Sequence, residues 1–313
     1  MLISLKIKKK NLLLILVAVL IGSINYLKRD SFGADFLAYE SYYYTREFFV
    51  EPGYYFLQNS FSFVGLHFAI FWTALTTFAV YQVATYSNKS APLILFYFVI
   101  LPVLFFLILA GHTRSGFALG AICWSLNRGQ SVTKALLIGG LFHIGSMVVF
   151  VICFFIKQDI KLIKKVIVAF LMALVSFLII YFLSTILTDL GKGNYVKMFS
   201  FSYLASDHFQ HRSLWALENL RMWFWISIVM YLLLFKVHDG ILYISVALTY
   251  LIFSFDSYIA QKASLIFLPL TALVFMSRQK IRSIQHLVFR IAGIIIILSF
   301  GTIDIAERLN LTL

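Results

Sequence analysis

Apolar runs of transmembrane character recur along the whole chain, over 11–27, 66–86, 91–110, 115–127, 166–186, 222–235, 240–257, 263–277 and 288–301. Each is measured against a hydrocarbon layer of about 30 Å, which a helix crosses in roughly 20 residues. The polar positions between them do not gather into any stretch long enough to fold separately. The pattern therefore predicts an all-α, polytopic integral membrane bundle, with 1–313 as a single transmembrane domain. Two polar loops are long: 28–62, rich in tyrosine, and 187–221, which holds KGNYVK and SDHFQHRSLWALENLR.

The segment 135–156, ALLIGGLFHIGSMVVFVICFFI, fits either one crossing or a hairpin, and the charges decide between them. A single crossing would put KQDIKLIKK (157–165) and SRQKIRSIQHLVFR (277–290) outside, against the positive-inside rule twice. A hairpin turning near Gly140 to Gly145 puts every basic cluster on the cytoplasmic side. Lys6, Lys8, Lys9, Lys10, Lys89, Arg128, Lys134, Lys157, Lys161, Lys164, Lys165, Lys236, Arg278, Lys280, Arg282 and Arg290 then lie inside, beside only Asp159 and Asp239. The outer side is left nearly neutral. The expected topology has about 10–11 passes, a cytoplasmic N-terminus and a short hairpin at 135–156. The start, MLISLKIKKKNLLLILVAVLIGS, has the basic and apolar regions of a signal peptide but no clear cleavage site, and is expected to be an uncleaved first span.

Composition sharpens this picture. The chain is 61% hydrophobic and 12% charged, with mean hydropathy +0.91. Its net charge of +13 would suit nucleic acid, but the distribution follows membrane topology, so no nucleic-acid partner is expected. Cys123 and Cys153 sit in apolar segments at no metal-ligand spacing and are expected to pack, not to pair or bind zinc. No internal repeat of the kind usual in secondary transporters is visible.

Against so apolar a background, LILAGHTRSGFALGAIC (107–123) stands out, because it sets His112 and Arg114 between two greasy runs. A charge at membrane depth is costly and belongs in a wet cavity. A hairpin arm of about ten residues rises only ~15 Å, so its turn, with His143, is expected at the floor of an outward-facing cavity beside Arg114. Ser115, Gly116, Ala118, Gly120 and Ala121 permit close helix packing. An arginine beside the free amides of a helix N-terminus makes an anion site; snorkelling to the interface is its structural alternative.

In the first outer loop, Asp35, Tyr39, Tyr42 and Tyr43 recur at helical spacing, and Glu51-Pro52-Gly53-Tyr54 reads as a turn opening a short amphipathic helix. An interfacial aromatic belt is the alternative role for these tyrosines. In the second loop, Asp207, His208, His211, Arg212, Glu218 and Arg221 cluster. His208 and His211 lack further ligands, so no metal is expected, and Arg212 and Arg221 suit phosphate or sugar contacts better. Lys262, in DSYIAQK, could reach an anionic head group or snorkel.

The order of these features resembles the EpsG / Wzy-type polysaccharide polymerase family of bacterial inner membranes. It comprises an aspartate and tyrosines, Glu-Pro-Gly-Tyr, Arg114 opening a small-residue helix, a basic turn and an LFH-x-G-S hairpin. The likeness covers most of residues 30–155 and weakens through the second loop. Gln261-Lys262 stands where that family often has an arginine. The resemblance implies a GT-C-like helical fold, with loops 28–62 and 187–221 forming the periplasmic face of the site. It implies an enzyme that joins undecaprenyl-diphosphate-linked oligosaccharide repeat units, releases undecaprenyl diphosphate and needs no cofactor. Membrane lipid, a chain-length regulator and a lipid-linked sugar flippase are the implied partners. On that basis Arg114, Arg212, Arg221 and Lys262 are expected to bind diphosphate. His143, Asp35 and Glu51 are the candidate catalytic groups, and Tyr39, Tyr43, Tyr54 and His112 the candidate sugar contacts. An O-antigen ligase is the alternative in the same chemistry, though ligases commonly carry a larger outer domain. A transporter or flippase of lipid-linked sugars is the alternative from another class.

Overall fold

The computed structural model describes residues 9–28, 36–46, 51–90, 94, 96–105, 112–155, 164, 167–168, 171, 175, 178, 266–276 and 283–295. Every regular element among them is helical. The chain divides into two compact units, Met1–His143 with Leu268–Leu313, and Ile144–Phe267.

In the first unit, α1 (Lys9–Leu27) packs along α4 (Phe68–Ser90), which packs in turn against α5 (Thr113–Asn127) and through it α6 (Val132–Gly140). Two short helices, α2 (Phe36–Thr45) and α3 (Pro52–Phe63), form within the tyrosine-rich loop. A helical segment spans Phe96 to Val103, π-wound over Phe96–Ile100. Its wide turns flank Pro102, whose ring cannot take part in the α-helical i to i−4 bond. In the second unit, α7 (Ile144–Phe155) brings the Phe150 and Phe154 rings within 5.7 Å of each other. The predicted hairpin segment is thus broken by a turn at Leu141–His143, inside the expected interval.

Two helices turn large apolar residues outward. On α1, Leu12, Leu13, Leu16, Leu20 and Leu27 are exposed, whereas the buried face carries Leu14, Ala18, Gly22 and Asn25. The Asn25 amide donates to the Thr76 hydroxyl of α4 at 3.3 Å. After α8 (Leu268–Met276), the helix Ile284–Ile295, α9, repeats the pattern: Ile284, Val288, Ile291 and Ile295 face outward, while His286 and Arg290 are buried. There the Arg290 Nε donates to His286 Nε2 at 3.1 Å. Apolar exposure on this scale is unfavourable in water, and small or hydrogen-bonding residues are what hold helices together in lipid. Among the described residues, Phe68–Lys89 is long and apolar enough to cross a membrane, at 22 residues and mean hydropathy 1.3. Leu12–Leu27 and Ile284–Ile295 are shorter apolar helices.

The small residues of α5 behave as expected. Ser115, Gly116, Ala118, Gly120 and Ala121 are all buried. A Cβ on Gly120 would stand 2.8 Å from the Ala79 Cα of α4, so the two backbones meet here. Cys123 and Cys153 are both buried and are not joined in a disulfide. The α4–α5 contact sets where the N-terminus of α5, and hence Arg114, is held. Gly120→Ala is therefore expected to cost about 1–3 kcal/mol through forced separation of the helices. A lowered melting temperature of the detergent-solubilised protein would show it; an unchanged one would mean that the backbones do not meet at Gly120.

Candidate functional site

Arg114 occupies the first turn of α5, directly after Thr113. That is an unfavourable place for a cation, because the helix dipole presents its positive end there. The stretch from Pro52 to Gln158 contains no Asp or Glu, so no acid within it can compensate. Compensation comes from the edge of the stretch. Arg114 Nη1 donates to Glu51 Oε2 at 2.8 Å, and Arg114 Nε donates to the Tyr39 hydroxyl at 2.8 Å. The Arg114 side chain is 19% exposed and that of Glu51 8%, so the pair is neither a surface bridge nor sealed in the core.

Local sequence explains why Glu51 is available. It stands at the N-cap of α3 with extended backbone, φ −85 and ψ 106, followed by Pro52 in the first turn. A residue in this position commonly turns its side chain back to cap the helix. Glu51 makes no such bond, and its carboxylate goes to Arg114 instead. Its carbonyl still opens the helix, accepting from Tyr55 N at 3.0 Å.

Gly53 fastens this turn to the end of α6. Its N–H donates to the Leu141 carbonyl at 2.8 Å. A Cβ at Gly53 would lie 2.8 Å from that same oxygen and from the Phe142 ring, so only glycine permits the approach. Phe142 then stacks edge-on against Phe117 of α5, with centroids 4.8 Å apart. Phe117 is one helical turn past Arg114. The turn of α3, the start of α5 and the turn after α6 are thus locked together. His143, the next residue, is buried, and its N–H donates to the Gly139 carbonyl at 3.0 Å.

An aromatic wall supports the cation. The Arg114 Cζ lies 5.0 Å from the Tyr39 ring centroid and 5.8 Å from that of Tyr54. Tyr39 packs on Trp72 at 5.6 Å and on Tyr54 at 6.2 Å. Burial is the main force pushing the Tyr54 phenol pKa upward, aided by Tyr39 and Glu51 and opposed by Arg114. Tyr54 is a neutral phenol throughout the physiological range.

Of the residues singled out from the sequence, Arg114, Glu51, Tyr39 and Tyr54 come together. Tyr39, Tyr43 and Tyr54 belong to a buried aromatic cluster with Phe36, Phe68, Phe71 and Trp72, which replaces the interfacial belt considered for them. Tyr43 is committed to packing: its ring is fully buried and its hydroxyl donates to the Leu66 carbonyl at 2.7 Å. His112 is the N-cap residue of α5, with no side-chain cap bond, and is half-buried. Asp35, Arg212, Arg221, Lys262, and with them Asp207, His208, His211 and Glu218, lie outside the described residues. Among the described residues no group of three or more His, Cys, Asp or Glu is arranged to hold a metal. Trp72 and the Phe117–Phe142 pair were not singled out, since an aromatic residue inside an apolar run carries no polar mark. The acid-free stretch was the available signal for the Arg114–Glu51 pairing.

The EpsG family matches residues 10–309 of the chain. No curated protein and no solved structure matches it.

Exposed ion pairs contribute 0–1 kcal/mol, whereas breaking a buried one costs about 3–5 kcal/mol. With its intermediate exposure, Glu51→Ala is expected to cost about 2 kcal/mol, and Tyr39→Phe about 1 kcal/mol for one hydrogen bond. Thermal unfolding of both variants measures this. Equal, negligible losses would show that neither group holds Arg114.

Proposed function

The chain belongs to the EpsG family, which is associated with exopolysaccharide biosynthesis, and from that premise we propose that it is a polysaccharide polymerase. It joins undecaprenyl-diphosphate-linked repeat units at the periplasmic face of the bacterial inner membrane. The proposed fold is GT-C-like, with about 10–11 passes and the N-terminus in the cytoplasm.

The observation that carries this proposal is the held arginine: a permanent cation at a helix N-terminus, fixed by a carboxylate and a phenol and walled by tyrosines. Glycosyl transfer from a polyprenyl diphosphate needs positive charge where the leaving group develops negative charge. The acceptor hydroxyl oxygen attacks the anomeric carbon of the donor sugar. The bond from that carbon to the phosphate oxygen breaks, and its electron pair leaves with undecaprenyl diphosphate. The acceptor proton passes to a base. Arg114 meets the first need directly, with Arg212, Arg221 and Lys262 as its proposed partners. Glu51, His143 and Asp35 are the candidate bases. His112, half-buried at the N-cap of α5, is the proposed sugar contact, while Tyr39 and Tyr54, buried in the aromatic cluster, back the cation. An apolar groove between α1 and α4, lined by residues including Ile15, Val19, Ile70, Ala74 and Phe78, offers a surface to an isoprenoid chain.

A guanidinium supplies that charge through charge-assisted hydrogen bonds to phosphate oxygens. A flippase of lipid-linked sugars would need the same head-group contact but no bond formation.

Arg114→Ala is expected to abolish long-chain polymer in cells while single repeat units still reach the surface. Arg114→Lys keeps the charge but loses the planar fork, and is expected to lower polymer yield about tenfold or more. Electrophoretic ladders of extracted polysaccharide report both, and a normal ladder from Arg114→Ala would overturn the assignment.

A further inference from the structure

We infer that Glu51 occupies the anion site of Arg114 as a built-in stand-in for the substrate's diphosphate, and that substrate binding displaces it to become the general base. The inference rests on the reading of Arg114 as the diphosphate contact and deepens it.

The geometry is that of a latch. Arg114 faces a carboxylate oxygen at 2.8 Å, at the positive end of α5, where a phosphate oxygen would gain most. A diphosphate carries more negative charge than a carboxylate and matches the guanidinium fork at least as well. It therefore competes for the same donors. The second anchor of Arg114, the Tyr39 hydroxyl on Nε, is neutral and need not move, so the cation stays in place during the exchange.

Glu51 also has somewhere to go. It sits at the mouth of α3, and no cap bond ties its side chain to that helix. The backbone on its C-terminal side is fixed, through Tyr55 N on the Glu51 carbonyl and Gly53 N on Leu141. A side-chain rotation is sufficient, and the released carboxylate stays within the site.

Exchange orders the reaction. The donor's diphosphate takes Arg114, and Glu51 Oε2 is freed. The acceptor hydroxyl then gives its proton to Glu51 as its oxygen bonds to the anomeric carbon and the diphosphate departs with the electron pair. Once undecaprenyl diphosphate leaves, Glu51 loses the proton to water and pairs with Arg114 again. An empty site thus holds a neutralised cation.

The test compares wild type, Glu51→Gln, Arg114→Ala and the double variant, each full-length in nanodiscs. Binding of undecaprenyl diphosphate and turnover of lipid-linked repeat units are both measured. Glutamine keeps the shape but not the charge. Glu51→Gln is expected to bind the probe about tenfold tighter, the change that follows from 1.4 kcal/mol of relieved competition. Its turnover should fall at least a hundredfold, within the range ascribed to a general base. The double variant should bind as weakly as Arg114→Ala. A carboxylate that merely orients Arg114 predicts the opposite sign, and equal or weaker binding by Glu51→Gln overturns the latch. If Glu51→Gln does not fold, Glu51→Asp, with its carboxylate set back by one methylene, is expected to show a smaller gain in the same direction; no gain there overturns it as well. Unaltered binding by Arg114→Ala would instead remove the diphosphate reading itself. Weakened binding by Arg114→Ala without any gain in Glu51→Gln removes the latch alone.

Discussion

A cation at the positive end of a helix has to be compensated, and here the compensation organises one part of the first unit. Arg114 opens α5 within a stretch that has no acid, so its counter-charge must be delivered from another segment. Glu51 delivers it from the mouth of α3, and Tyr39 adds a neutral acceptor from α2. One guanidinium therefore fixes the mutual position of three helices that are distant in sequence. The Gly53–Leu141 bond and the Phe117–Phe142 stack extend that arrangement to the turn after α6. Remove the arginine, and α2 and α3 lose their side-chain bonds to the start of α5.

The rest of the unit makes this arrangement affordable. Close contact at Gly120 sets α5 firmly against α4, and the aromatic cluster around Trp72 gives α2 and α3 an apolar floor. The outward faces of α1 and α9 are apolar and the inward faces hold Asn25, His286 and Arg290, an inversion that suits lipid as the surrounding solvent. A polar site built on such a frame is surrounded by low dielectric, where a guanidinium acts more strongly on a phosphate than it could in water.

Much of this was legible in the sequence. Helical character followed from run length and the absence of strand periodicity. Tyrosine spacing and the Pro52 signal placed the two loop helices, and the glycines flanking LFHIGS placed the break at Leu141–His143. Arg114 stood out because charge was so scarce around it. The partners of that charge were less accessible. Glu51 and Tyr39 lie 63 and 75 positions away from Arg114, and only folding decides which of many loop residues arrives. Tyr43 illustrates the same limit: it shares a helix and a residue type with Tyr39, yet its hydroxyl goes to Leu66 and its ring to the core. The buried Arg290–His286 bond left no mark either, since in sequence Arg290 is one more member of a basic cluster.

Bond formation at Arg114 is the claim on which the chemistry depends. Its most direct measurement is incubation of the purified, membrane-reconstituted chain with undecaprenyl-diphosphate-linked repeat units, followed by mass analysis of the lipid-linked products. Dimers and longer oligomers, with one undecaprenyl diphosphate released per bond formed, are the expected result. Repeat units that only redistribute between leaflets, with no new glycosidic bond, would contradict it.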